Sequence, residues 1–178
     1  MNPYEIIEKY YIAGTELHYL LIKHSEQVRD KALEVARAHP ELNLDTEFIA
    51  EGALLHDIGI FLCNAPQIYC FGMCEYIEHG YLGADLIRNE GYPKHALVCE
   101  RHIGTGISLA TIDEKLLPLP HRDMLPISLE EQVICYADKF YSKSELHTTR
   151  SLNRIRMHLQ LFGRENTEIF DRWHLMFS

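Results

Sequence analysis

Six residues of this 178-residue chain place side chains that are costly to bury on or beside apolar helical faces: His24, His56, Asp57, His79, His102 and Asp138. A carboxylate or imidazole turned toward a core loses its water and needs a hydrogen-bond partner, an ion or a metal in return. Each alone reads most simply as a core residue with a polar neighbour. Five predicted helices each contribute one such position, with His56 and Asp57 adjacent on a single helix, and this favours one shared site over independent coincidences. Histidines and aspartates brought together in a core are a metal-ligand chemistry.

The elements that must position them are helices. Pro3 suits the first turn of a helix running to Tyr11, and Thr15 caps a long helix to about His39, stopped by Pro40. On that helix Leu17, Leu20, Leu21, Val28, Ala32 and Val35 form the apolar stripe, and His24 falls on it. Asp45 caps a third helix ending at His56-Asp57-Ile58-Gly59, with Gly59 expected to close it in a left-handed conformation. Residues 60–74 read as an irregular connection, followed by a helix from Tyr76 to Glu90 closed by Gly91. Pro93 starts a helix carrying His95, Val98, Cys99 and His102, ended by Gly104-Thr105-Gly106. Three prolines between Leu117 and Pro126 predict a surface loop, and Ser128-Leu129-Glu130-Glu131 is a capping-box pattern opening the helix that bears Asp138. Two further helices are predicted over Thr148–Phe162 and Glu165–Phe177, broken at Gly163. No strand-like alternation stands out. The expected fold is all-α: one domain over 1–178, a bundle of seven or eight helices with its core at about 17–143 and C-terminal helices within 148–177.

Composition narrows the function. A formal net charge of −9 argues against a general binder of duplex nucleic acid, which is gripped through phosphate neutralisation. A small phosphorylated ligand stays compatible, because a bound metal supplies positive charge locally. No apolar run reaches the roughly 20 residues of a membrane span, and the first residues lack a signal-peptide pattern, so a cytoplasmic protein is expected. Five cysteines without a CxxC pair read as reduced, mostly buried thiols. Cys70, Cys74 and His79 have spacing tolerable for a zinc site, but a fourth ligand is not evident. Gly104-Thr105-Gly106 lacks the third glycine of a dinucleotide loop, and no GxSxG or phosphate-loop lysine motif is present.

The order His24, then His56-Asp57, then Asp138 resembles the H…HD…D signature of the HD-domain metal-dependent phosphohydrolases, and His56-Asp57-Ile58-Gly59 spells their HDIG variant. The resemblance runs from about Leu17 to Lys143 and includes the apolar lead-in Ala53-Leu54-Leu55 and the closing Ala137-Asp138-Lys139. His79 and His102 match positions where dinuclear members carry two further histidines. The family implies an all-α fold, in agreement with the periodicity.

The resemblance implies one metal held by His24, His56, Asp57 and Asp138, and a second completed by His79 and His102 with Asp57 as the bridge. A mixed imidazole and carboxylate set suits iron, manganese, cobalt or zinc, as one ion or two. Asp57, ligand and bridge at once, is expected to be indispensable to catalysis; Arg101 and Lys139, neighbours of ligands, are the expected phosphate contacts. The implied reaction is hydrolysis of a phosphate ester or anhydride in a nucleotide-like small molecule by metal-activated water. The set also looks similar to HD hydrolases that split symmetric dinucleoside tetraphosphates. The chain departs from them in the long connection 60–78 and in Ile103, where a small hydroxyl residue often follows the second-site histidine. Two rivals keep the same ligands: an HD-type di-iron oxygenase, and a non-catalytic metal- or nucleotide-binding module.

Overall fold

Capping chemistry sets where the helices begin. In the computed structural model, which describes residues 1–178, the side chains of Thr15, Asp45, Ser108, Ser128 and Ser151 each accept a hydrogen bond from a backbone N–H of the first turn they open. Nine helices result: α1 (Pro3–Tyr10), α2 (Glu16–Ala38), α3 (Thr46–Leu55), α4 (His79–Asn89), α5 (Pro93–Arg101), α6 (Leu109–Lys115), α7 (Leu129–Asp138), α8 (Leu152–Gln160) and α9 (Arg164–Phe177). None is long and apolar enough to cross a membrane. The all-α expectation holds, with α6 as the helix the apolar pattern did not mark; Ile112 is its one buried residue.

Two apolar clusters divide the interior, and α2 runs through both. One packs Val28, Ala32 and Val35 of α2 against Ile49, Ile134, Phe170 and Trp173 from α3, α7 and α9. The other packs Leu20 and Leu21 against Ile6 and Ile7 of α1, Leu55, Ile58 and Ile87. Each such large apolar side chain contributes about 1.5–3 kcal/mol when fully buried. His24 lies between Leu21 and Val28, at the seam where the two clusters meet. Polar groups concentrate there because apolar packing on either side holds the helices that carry them.

Several local expectations change. Gly59 is right-handed, with φ −82° and ψ −6°, and does not form a left-handed cap. Its glycine identity answers a close approach: a Cβ there would sit 2.3 Å from the His79 carbonyl oxygen and 2.6 Å from the Gly83 nitrogen. Glycine therefore lets the start of α4 rest directly on the His56-Asp57 turn. Residues 60–74 contain a small antiparallel hairpin of β1 (Asn64–Ala65) and β2 (Cys70–Phe71), pairing Asn64 with Phe71 and Ala65 with Cys70. Strands of two residues are too short to leave an alternating pattern in sequence. The capping box at Ser128 is half formed: Ser128 caps Glu131, while the Glu131 carboxylate turns to Ile127 N–H and Arg101. Residues Thr148–Ser151 stay outside α8, because Ser151 is its cap.

Candidate metal centre

Four helix ends and one helix middle build the site. His56 caps the C-terminus of α3 with Asp57 next to it, His102 caps the C-terminus of α5, and Asp138 is the last residue of α7. His79 opens α4, and His24 projects from the middle of α2. Three helix C-termini, each carrying partial negative charge, thus converge where a cation would sit.

Asp57 is the centre. It is fully buried, and its Oδ2 lies 3.1 Å from His24 Nε2, 3.0 Å from His56 Nε2 and 2.5 Å from Lys143 Nζ. Its Oδ1 lies 3.3 Å from the Nε2 atoms of both His79 and His102. Asp138 Oδ1 is 3.0 Å from His24 Nε2 and 3.5 Å from His56 Nε2. Two groups of potential ligand atoms follow, each within 4.8 Å of one another: His24, His56, Asp57 and Asp138, and Asp57, His79 and His102. All six sequence-derived candidates are brought together, with Asp57 common to both groups.

The histidines are oriented for ligation. Nδ1 of His56 donates to the Ala53 carbonyl at 2.7 Å, that of His79 to Tyr76 at 2.5 Å and that of His102 to Cys99 at 2.7 Å. A carbonyl only accepts, so the ring proton is fixed on Nδ1 and Nε2 faces the cluster with its lone pair available once deprotonated. Both Asp57 oxygens and His56 Nε2 are buried without a hydrogen bond, so Lys143 meets Asp57 as an ion pair without hydrogen-bond alignment. Orphaned buried polar atoms of this kind fit a metal ion.

Charge is tightly held in this cluster. Burial opposes ionisation of Asp57, but the charges of His56 and Lys143, with the His102 and His24 rings close beside its oxygens, overcome it and hold the carboxyl well below its usual range. Burial likewise opposes charge on His56, yet Asp57 and Asp138 raise its pKa to about 9. His102 goes the other way: burial, joined by the nearby His56 and His79, lowers it to about 4. Burial resists the charge on Lys143 too, and Asp57 with Tyr76 and Asp138 raises its pKa all the same.

The floor of a pocket of about 370 Å³ is formed here by His79, His102 and Asp138, with Lys139, Lys143 and Arg150 in its wall. The pocket is thus locally cationic in a chain of net charge −9. The two expected phosphate contacts are placed differently. Arg101 pairs with Glu131 at 2.9 Å and is no part of the pocket wall, because Glu131 rises from α7 directly beside it. Lys139 does border the pocket, but its ammonium donates to Asp138 Oδ2 and to the His102 carbonyl, both at 2.8 Å, tying α7 to α5. Cys70 donates to the Ile68 carbonyl, and His79 faces Asp57, so no thiolate zinc site forms with them.

Sequence reasoning missed Lys143, Arg150 and His158, which line the pocket. Lys143 sits in the non-helical stretch after α7, where no periodicity says which way a side chain points, and Arg150, expected inside the helix Thr148–Phe162, lies in the same stretch just ahead of α8. The available signal was proximity: Tyr141-Ser142-Lys143-Ser144 follows Asp138 within one short turn segment.

Comparison with known proteins agrees with this geometry. The HD domain family matches residues 21–142. An uncharacterised protein of Methanocaldococcus jannaschii is 38% identical over 121 residues, covering 66% of this chain and 64% of that one. Two tRNA (cytidine(56)-2'-O)-methyltransferases are also similar. That of Thermoplasma volcanium is 32% identical over 68% of this chain and 32% of its own length. That of Picrophilus torridus is 30% identical over 75% of this chain and 35% of its own length. The chain therefore spans less than two-thirds of each of these relatives. No solved structure matches. With the matched region reaching from α2 past Asp138 and enclosing all six clustered residues, the chain belongs to the HD domain family.

Proposed function

We propose that this protein is a metal-dependent phosphohydrolase that cleaves a phosphate ester or anhydride of a nucleotide-like small molecule. One observation carries the reading: two ligand groups sharing Asp57 lie beneath a pocket whose wall bears three basic side chains, Lys139, Lys143 and Arg150. An anionic substrate is drawn to that wall, and the ligands lie where its phosphorus would be presented.

A divalent transition metal held by these residues supplies Lewis acidity and a water acidic enough to ionise near neutral pH. The chain's own contribution is positional. Asp57 carries the negative charge that draws cations to both groups, and the carbonyls of Ala53, Tyr76 and Cys99 lock three imidazoles with Nε2 inward. Lys143 pairs with Asp57 and reaches a phosphate oxygen from the pocket side, with Arg150 as the second cationic contact. Lys139 acts as a positioning residue through Asp138 and His102. Methyl transfer is not carried over from the two longer relatives, of which this chain spans 32% and 35%.

The six-residue set also suits a di-iron oxygenase, but the basic pocket wall favours an anionic substrate over a neutral one. A hydrolysis panel of nucleotides and simple phosphate esters, with Mn²⁺, Co²⁺, Fe²⁺ and Mg²⁺ supplied separately, tests the proposal. Metal-dependent phosphate release supports it. Stoichiometric metal binding with no release from any substrate points to a binding module, and oxygen consumption by an iron-loaded form points to the oxygenase.

A further inference from the structure

The metal pocket does not end at its basic wall. Gln67, Lys143 and Ser144 also line a second cavity of about 240 Å³, so the two spaces share one boundary. Beyond that boundary the second cavity is edged by Tyr19 of α2 and Tyr69 of the hairpin segment. Both rings stand about half exposed, at 53% and 47%. Together the two spaces fall within the roughly 300–1,000 Å³ of small-molecule sites.

Tyr69 is held there by an unusual backbone. It caps the turn Pro66–Ile68 with φ 63° and ψ 22°, and its N–H donates to the Pro66 carbonyl at 3.0 Å. A bulky side chain in the left-handed region is strained, and glycine would make the same turn more easily. The residues just before it serve the other space: Gln67 and Ile68 border the metal pocket. One turn therefore presents an aromatic ring to the outer cavity and a wall to the inner one.

We propose that the outer cavity is a base-binding subsite, in which Tyr19 and Tyr69 stack the aromatic ring of a substrate whose phosphate lies at the metal centre. Gln67 lines both cavities, and its amide offers both a donor and an acceptor to the ring edge from that shared boundary. Lys143 stands between the two parts of the ligand, its stem in the shared wall and its ammonium at Asp57. The inference rests on the phosphohydrolase reading for the phosphate end, while the stacking end is measurable by binding alone.

The test compares phosphonate analogues of AMP and of ribose 5-phosphate, which resist hydrolysis, by calorimetric titration of the metal-loaded protein. The wild type is expected to bind the AMP analogue at least about tenfold more tightly, the size of one base–aromatic stack. Combined Tyr19→Ala and Tyr69→Ala should erase that preference, whereas Tyr19→Phe and Tyr69→Phe keep it. Equal affinity of the wild type for both analogues, or a preference that survives the double alanine variant with its helical spectrum intact, overturns the proposal. A tyrosine-dependent preference without phosphate release from any substrate of the nucleotide and phosphate-ester panel upholds the subsite while removing the hydrolase reading.

Discussion

Asp57→Asn keeps the shape of the side chain at the centre of the cluster and deletes its charge. The carboxylate faces Lys143 at 2.5 Å, His24 and His56 at 3.1 and 3.0 Å, and His79 and His102 at 3.3 Å. In metal-free protein the variant leaves the Lys143 ammonium and the His56 ring, with its pKa at about 9, without their main counter-charge. Breaking a buried pair in this way costs about 3–5 kcal/mol. For a chain of this size each kcal/mol moves the melting temperature by about 2–4 °C, so the expected loss is about 6–20 °C. Bound metal adds a second difference. At a concentration 1,000 times its Kd, a metal stabilises the wild type by about 4.1 kcal/mol, and the variant, lacking the shared ligand, gains little. Circular-dichroism melts of both proteins, in EDTA and then with Mn²⁺, read the two effects separately. An Asp57→Asn variant that melts with the wild type in EDTA, or rises equally on adding Mn²⁺, refutes the reasoning.

Other outcomes follow from the same geometry. Lys143→Ala should lower kcat/KM by about 100-fold or more while metal content by elemental analysis stays at the wild-type level, because the lysine contacts Asp57 without being a ligand; loss of metal instead makes Lys143 part of the metal scaffold. Metal affinity should rise about tenfold per pH unit between about pH 6.5 and 9, since the metal must displace the proton that His56 holds with a pKa of about 9. The sign is fixed by that raised pKa: protonated His56 stabilises the metal-free fold fully below about 6.5, and that contribution disappears as pH passes about 9. Mn²⁺ titrations giving a flat affinity across that window contradict the assignment. Gly59→Ala should cost about 1–3 kcal/mol by pushing the His79 backbone away and should lower metal stoichiometry before it unfolds the chain; unchanged stoichiometry in a stability-matched sample argues against Gly59 as the spacer for His79.

The sequence carried the helical frame and the six clustered residues for a physical reason. Periodic apolar stripes determine which helix face points inward, and a histidine such as His24 on such a stripe is visible as an exception. The same reasoning failed wherever the chain leaves the helical period. Gly59 looked like a helix stop, yet its glycine is required by α4 crossing over it, a contact between segments 20 residues apart in sequence that no local pattern encodes. The hairpin at 64–71 has two-residue strands, too short to alternate. Arg101 stood beside the candidate ligand His102 in sequence, but at the end of α5 adjacent residues diverge by about 100°, so His102 faces Asp57 while Arg101 faces Glu131. Lys143 shows the converse, reaching Asp57 from a segment without regular structure.

The claim on which everything else depends is that Asp57 sits at the centre of a metal site. Crystals of manganese-loaded protein, measured at the manganese absorption edge, address it directly through anomalous difference density. Two peaks about 3.5–4 Å apart are expected, both within bonding distance of Asp57, one also reached by His24, His56 and Asp138 and the other by His79 and His102. Density with no peak at Asp57 from protein that binds manganese in solution would contradict the account.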